Sequence, residues 1–114
     1  MKENIIVTKS FDFALLIIEL YKKLQSEKEF IISKQVLRSG TSIGANIQEA
    51  TAAFSKKDFV HKMSISSKEA RETKYWLLLL KKSDITNVNV DKHLIEIQSL
   101  INILTKIVKT SQQK

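Results

Sequence analysis

The stretch LRSGTSIGANIQEA (residues 37–50) decides how this chain is read. Leu37, Ile43, Ile47 and Ala50 recur at helical spacing, yet Gly40 and Gly44 stand four residues apart among them. Each glycine inside a helix costs about 1 kcal/mol relative to alanine, because it has more backbone freedom to lose. Either the glycines form a ligand-binding loop, or they let another helix approach closely. A phosphate loop would read G-x-G-x-x-G or G-x-x-x-x-G-K-[ST] after a strand, and GTSIG fits neither pattern. Close packing is the reading that stands. The next segment carries Phe59, Met63, Ser66, Ala70, Thr73, Leu77 and Leu80 at spacings of four and three, with small residues in the middle. Gly40 and Gly44 are therefore expected to meet Ser66, Ala70 and Thr73 in a seam where dispersion contacts offset the glycine cost.

The rest of the chain agrees with a helical reading. Its 114 residues contain two glycines and no proline, too few turn residues for an all-β fold. They suffice for one domain, 1–114, with one core. The periodicity predicts helices over about 11–25, 33–53, 56–82 and 89–109. Ser10 is the expected N-cap of the first helix and Asn87 or Asn89 that of the fourth, and Ser55-Lys56-Lys57-Asp58 fits a capping box for the third. SDITNVN (83–89) is a polar turn. Short links favour antiparallel neighbours, so the expected architecture is all-α, an up-down-up-down four-helix bundle.

Helices 1 and 4 carry more apolar surface than one core stripe requires. Phe11, Ala14, Leu15, Ile18 and Tyr21 form one stripe on helix 1, and Phe13, Leu16, Ile17, Leu20 and Leu24 a second. Helix 4 has Leu94, Ile97, Ile101, Leu104 and Val108, with Leu100, Ile103 and Ile107 beside them. A bundle helix buries one stripe a little over 100° wide, so a homo-oligomer is expected.

Chemistry for catalysis is sparse. There is no cysteine, and the histidines, His61 and His93, lie apart. A di-iron bundle needs two Glu-x-x-His pairs, and Asp58-Phe-Val-His61 is the nearest approach. Glu49, Glu69 and Glu72 are expected to form ion pairs with Arg71 or Arg38. The expectation is no enzyme, no metal and no cofactor. MKENIIVTKSFDF (1–13) lacks the apolar run of a signal peptide, and no segment reaches the about 18 apolar residues of a membrane span. A cytoplasmic protein with no membrane partner follows.

Charge is more informative. Of the net charge of +7, residues 56–82 supply eight cations against three anions. Lys57, His61, Ser64, Lys68, Arg71, Tyr75 and Lys82 recur at helical spacing and share a face roughly 38 Å long. That length follows several phosphates, so Lys57, His61, Lys68, Arg71, Lys74, Tyr75 and Lys82 are the candidate contacts for RNA or DNA. Tyr75 or Trp76 offers a ring for a base, although both also suit packing.

SKQVLRSGTSIGANIQEA (33–50) with SKKDFVHKMSISSKEARETKYWLLLL (55–80) resembles the bacterial four helix bundle proteins encoded in intervening sequences of large-subunit ribosomal RNA genes. The fold is similar to the accessory variability protein of diversity-generating retroelements. The resemblance implies a homopentameric barrel with a basic surface. For the retroelement relatives it implies binding to nucleic acid and to a reverse transcriptase. The resulting expectation is a non-enzymatic nucleic-acid binder, the alternative being an interaction scaffold or accessory subunit for an enzyme such as a reverse transcriptase.

Overall fold

With two glycines and no proline, the chain bends at three short links, 27–31, 52–55 and 83–90. The computed structural model describes residues 2–113, which form α1 (Lys2–Ser26), α2 (Ile32–Thr51), α3 (Lys56–Lys82) and α4 (Asp91–Gln112). The described residues contain no strand. Each helix packs on its neighbours in sequence, and α1 packs on α4, closing a four-membered ring 47 × 21 × 21 Å in extent. Rising positions on α2 meet falling positions on α3: Arg38 with Glu72, Ile43 with Ser66, Glu49 with Lys62.

α1 begins well before the expected residue 11, and Ser10 is not its cap. Ile6 is fully buried and Val7 packs against the core, so the apolar period continues upstream and carries the helix with it. Ser10 is 1% exposed and donates its hydroxyl to the Val7 carbonyl at 3.1 Å, which lets a serine sit inside a helix. Of the two apolar stripes, Phe13, Ile17, Leu20 and Leu24 turn inward. Phe11 and Leu15 stay 60% and 51% exposed.

The α1–α2 link solves the turn without glycine. Lys28 adopts φ 65°, the Glu29 N–H donates to the Leu24 carbonyl at 2.9 Å, and the Lys28 N–H to that of Gln25 at 2.9 Å. This is the left-handed closure of a helix C-terminus. The next residue starts α2: the buried Glu29 carboxylate accepts from the N–H groups of Ile31, Ile32 and Ser33 at 3.1, 3.0 and 2.5 Å. A carboxylate meeting unpaired donors at the positive end of a helix is favourable on both counts. At its other end α2 stops at Thr51 rather than 53, because Ala52 and Ala53 donate three residues back, to Glu49 and Ala50.

α3 covers 56–82 as expected, and Ser55 Oγ accepts from the Asp58 N–H at 3.0 Å. α4 runs over Asp91–Gln112 rather than 89–109, and neither Asn87 nor Asn89 is its cap. Val90 holds that position with no side-chain bond, while Asn89 Oδ1 accepts from the Asp91 N–H at 2.8 Å in the turn before it. Of the residues beside the main stripe of α4, Leu100 is buried, and Ile103 and Ile107 are partly buried against the bundle's own core. So are Leu94 and Val108 at the ends of that stripe, and this helix therefore spends its wider apolar arc within its own bundle. Ile95, at 68% exposed, is the large apolar residue α4 leaves open.

The glycine seam is real in kind but faces a different helix. A Cβ on Gly40 would lie 2.9 Å from Ile17 of α1, and one on Gly44 would lie 3.4 Å from the Ser10 carbonyl. The α2–α3 seam is built by residues turned about 100° away. There the Ser39 and Thr73 hydroxyls lie 2.8 Å apart, and Ser66 donates to the Ile43 carbonyl at 2.9 Å. Ser66, Ala70 and Thr73 thus do admit α2 closely, through Ser39 and Ile43 rather than through the glycines.

Candidate nucleic-acid interface

Burial of Met63, Ser66, Ala70, Thr73, Leu77 and Leu80 fixes the rotation of α3 and turns the opposite face outward. Lys57, His61, Lys68, Arg71, Tyr75 and Lys82 are all exposed along it, and Ser64 is half-buried. Lys74 does not share that row. It lies half-buried at the α4 flank and donates to Gln98 Oε1 at 2.6 Å. Arg71 leans the same way, its Nη2 donating to Thr105 Oγ1 at 2.9 Å, an anchor that leaves its charge uncompensated.

Two of the three acidic residues of α3, Glu69 and Glu72, are drawn to its other flank. Arg38 of α2 pairs with Glu69 at 3.3 Å and with Glu72, settling which arginine those carboxylates meet. Glu49 pairs separately with Lys62 at 2.7 Å. The hydrogen bond from Trp76 Nε1 at 2.9 Å, with that from Arg38, holds the Glu72 carboxyl below its ordinary range against a smaller opposing effect of burial. The bond to Glu72 raises the Arg38 guanidinium further above its already high value. Lys62 is raised likewise by its hydrogen bond to Glu49. Lys81 pairs with Asp91 at 2.9 Å. Among the described residues Lys57, Lys68, Arg71, Lys74 and Lys82 stand in no ion pair.

Sorting the charges this way produces a face that opposes an anion with little internal neutralisation. Tyr75, 56% exposed, stands in the middle of it, with its ring edge-on to Trp76 at a centroid distance of 5.2 Å and an angle of 66°. The chain Arg38, Glu72, Trp76, Tyr75 was not evident in the sequence as a unit. Its signal is the four-residue spacing of Glu72 and Trp76, which puts an acceptor within reach of the indole N–H.

One groove completes the surface. Phe11 and Ala14 of α1 border a groove of ≈ 220 Å³ with Thr41, Gly44, Ala45 and Gln48 of α2. Among the described residues no three His, Asp or Glu side chains gather to hold a metal ion, and no helix is long and apolar enough to cross a membrane.

Comparison with known proteins places the fold. No curated protein matches the chain. A solved protein of unknown function from the S23 ribosomal protein family of Bacteroides thetaiotaomicron is similar at 47% identity and a TM-score of 0.90, over 96% of this chain and 99% of that one. Residues 2–109 match the family model for the 23S rRNA-intervening sequence protein. With nearly its whole length matched and a closely superimposable four-helix relative, the chain belongs to the 23S rRNA-intervening sequence protein family.

Proposed function

We propose that the protein is a non-enzymatic, cytoplasmic nucleic-acid binder that grips RNA or DNA phosphates with the outward face of α3. The observation that carries this reading is the row Lys57, Lys68, Arg71 and Lys82, exposed and, among the described residues, outside every ion pair, while Arg38 holds Glu69 and Glu72 on the far flank. Binding through phosphates is salt-sensitive and weakly selective for sequence.

The same reading includes a homo-oligomer of up-down-up-down antiparallel bundles. The opposed pairing along α2 and α3 supports that course, and the outward Phe11, Leu15 and Ile18 of α1 support self-association. A pentamer is what the family resemblance implies. Repeating the basic row around a symmetry axis multiplies its avidity.

Binding of a structured ribosomal RNA fragment, titrated from low to moderate salt, tests the proposal. Affinity falls with salt, and replacing Lys57, Lys68 and Arg71 by alanine weakens it and flattens the salt slope. Salt-independent binding, or a triple variant that binds as well as the parent, overturns the phosphate mechanism. A second reading, an accessory subunit docked on a nucleic-acid enzyme such as a reverse transcriptase, draws on the exposed Ile95 of α4. A neighbouring gene for such an enzyme, and co-purification abolished by Ile95→Asp, distinguish it.

A further inference from the structure

We infer that Tyr75 is a platform for an unpaired base, so that the α3 face takes single-stranded nucleic acid in preference to duplex. The inference rests on the nucleic-acid reading above and narrows its ligand. Tyr75 is the exposed aromatic residue on the row that carries Lys57, Lys68, Arg71 and Lys82. Its surroundings are ordered by contacts that reach across two helices. The Tyr75 ring meets Trp76 edge-on at 5.2 Å. Trp76 donates its indole N–H to Glu72 Oε2 at 2.9 Å, and Glu72 receives Arg38 from α2, which also reaches Glu69 at 3.3 Å. A ring whose neighbour is fixed in this way has less freedom to lose on binding, which favours contact with a ligand over free rotation in water.

The flanking charges suit a strand passing over that ring. Arg71 precedes Tyr75 by one helical turn, roughly 6 Å, and Lys68 and Lys82 lie two turns away on either side, roughly 10 Å. They can meet phosphates on both sides of a stacked nucleotide. Arg71 is also pinned by Thr105 at 2.9 Å, so its guanidinium stays beside the row. A duplex presents its bases stacked on one another and offers this helix face only phosphates and sugars. An unpaired base exposes a π-face of either chemistry, and stacking on an aromatic side chain is tolerant of sequence.

The test compares a labelled 12-nucleotide single-stranded RNA with the matched duplex at one salt concentration, by fluorescence anisotropy, with circular dichroism confirming the fold of each variant. The parent favours the single strand. Tyr75→Ala lowers single-strand affinity about tenfold, the effect of one stacked base, and leaves duplex binding within about twofold. Tyr75→Phe keeps the single-strand affinity. Lys68→Ala with Arg71→Ala weakens both forms. Fluorescence of Trp76, the chain's single tryptophan, responds to the single strand in the parent and not in Tyr75→Ala. If Tyr75→Ala binds the single strand as the parent does while the double variant weakens both forms, the platform is refuted and the phosphate reading stands. If the folded parent binds neither form, the phosphate reading fails and takes the platform with it.

Discussion

A methyl group added to Gly40 would sit 2.9 Å from both Cγ1 and Cγ2 of Ile17. Ile17 is fully buried and branched at Cβ, so its γ carbons cannot swing aside as the end of a flexible chain could. Gly40→Ala gains about 1 kcal/mol of helix propensity but forces overpacking that costs roughly 1–3 kcal/mol, so a net loss of about 1 kcal/mol is expected. At Gly44 the nearest atoms, the Ser10 carbonyl oxygen and hydroxyl, lie at 3.4 Å, and propensity wins: Gly44→Ala stabilises by about 0.5–1 kcal/mol. Urea unfolding of the two variants checks this opposition in sign, and equal shifts would contradict the packing described.

The link between α1 and α2 gives a second pair of variants. Lys28 at φ 65° holds a conformation that costs a side-chain-bearing residue about 1 kcal/mol, so Lys28→Gly should raise stability by up to about that amount. Glu29→Ala should lower it by about 2 kcal/mol, since three N–H groups lose a charged acceptor at a buried helix start. Glu29→Gln should fall between parent and alanine. Denaturant midpoints at a common pH make the comparison.

His93 is 8% exposed, and its Nδ1 has no hydrogen-bond partner among the described residues. Burial chiefly, then Lys23 and Lys92, lowers its pKa below 6.5, with Glu19 acting in the opposite sense. The unfolded chain therefore takes up a proton that the folded one resists. Stability is full above 6.5, falls as pH drops from 6.5 to the lowered folded value, and levels off below it. The carboxyls of Glu72 and Glu27, held below 4.5, lose their stabilising effect only as pH falls through a lower window. Unfolding midpoints at pH about 7.5, 6.5 and 5.5 thus isolate the histidine. His93→Leu should flatten the profile with little loss at neutral pH, because it also removes an unsatisfied polar atom.

The outward stripe of α1 gives the fourth expectation. Replacing Phe11 and Leu15 by serine removes apolar side chains that are 60% and 51% exposed and that contribute little to the bundle's own core. Light scattering after size exclusion should show a smaller particle than the parent, with helix content unchanged. A monomeric parent at micromolar concentration would refute self-association.

Much of this molecule is legible in its residues because much of it is local. The Ser55 cap, the polar turn at 83–89 and the repeat along 59–80 each depend on groups within a turn or two of one another. The exposed basic row follows from the same repeat, since whatever buries Met63, Ala70 and Leu77 must expose Lys57, Lys68 and Arg71. Ser10 was misleading for a related reason. A serine before an apolar run signals a cap only when nothing upstream is buried, and Ile6 is. Lys28 gave no signal, because the left-handed turn is imposed by the two helices it joins.

Periodicity and composition alone established four helices, the face each could bury and the cations left on the outer side of α3. They could not establish which neighbour each face would meet. Small residues permit close approach without naming a partner, and a rotation of about 100° separates the α1-facing glycines from Ser39 and Ile43, which face α3. The same holds for the two stripes of α1, equally apolar in sequence, of which packing buried one and left Phe11 and Leu15 in water. It holds also for Arg38, 31 residues from Glu69 and 34 from Glu72, which draws the acids of α3 aside only once the helices stand together. Side-chain chemistry decides what a surface can contact, and the mutual rotation of packed helices decides what it does contact.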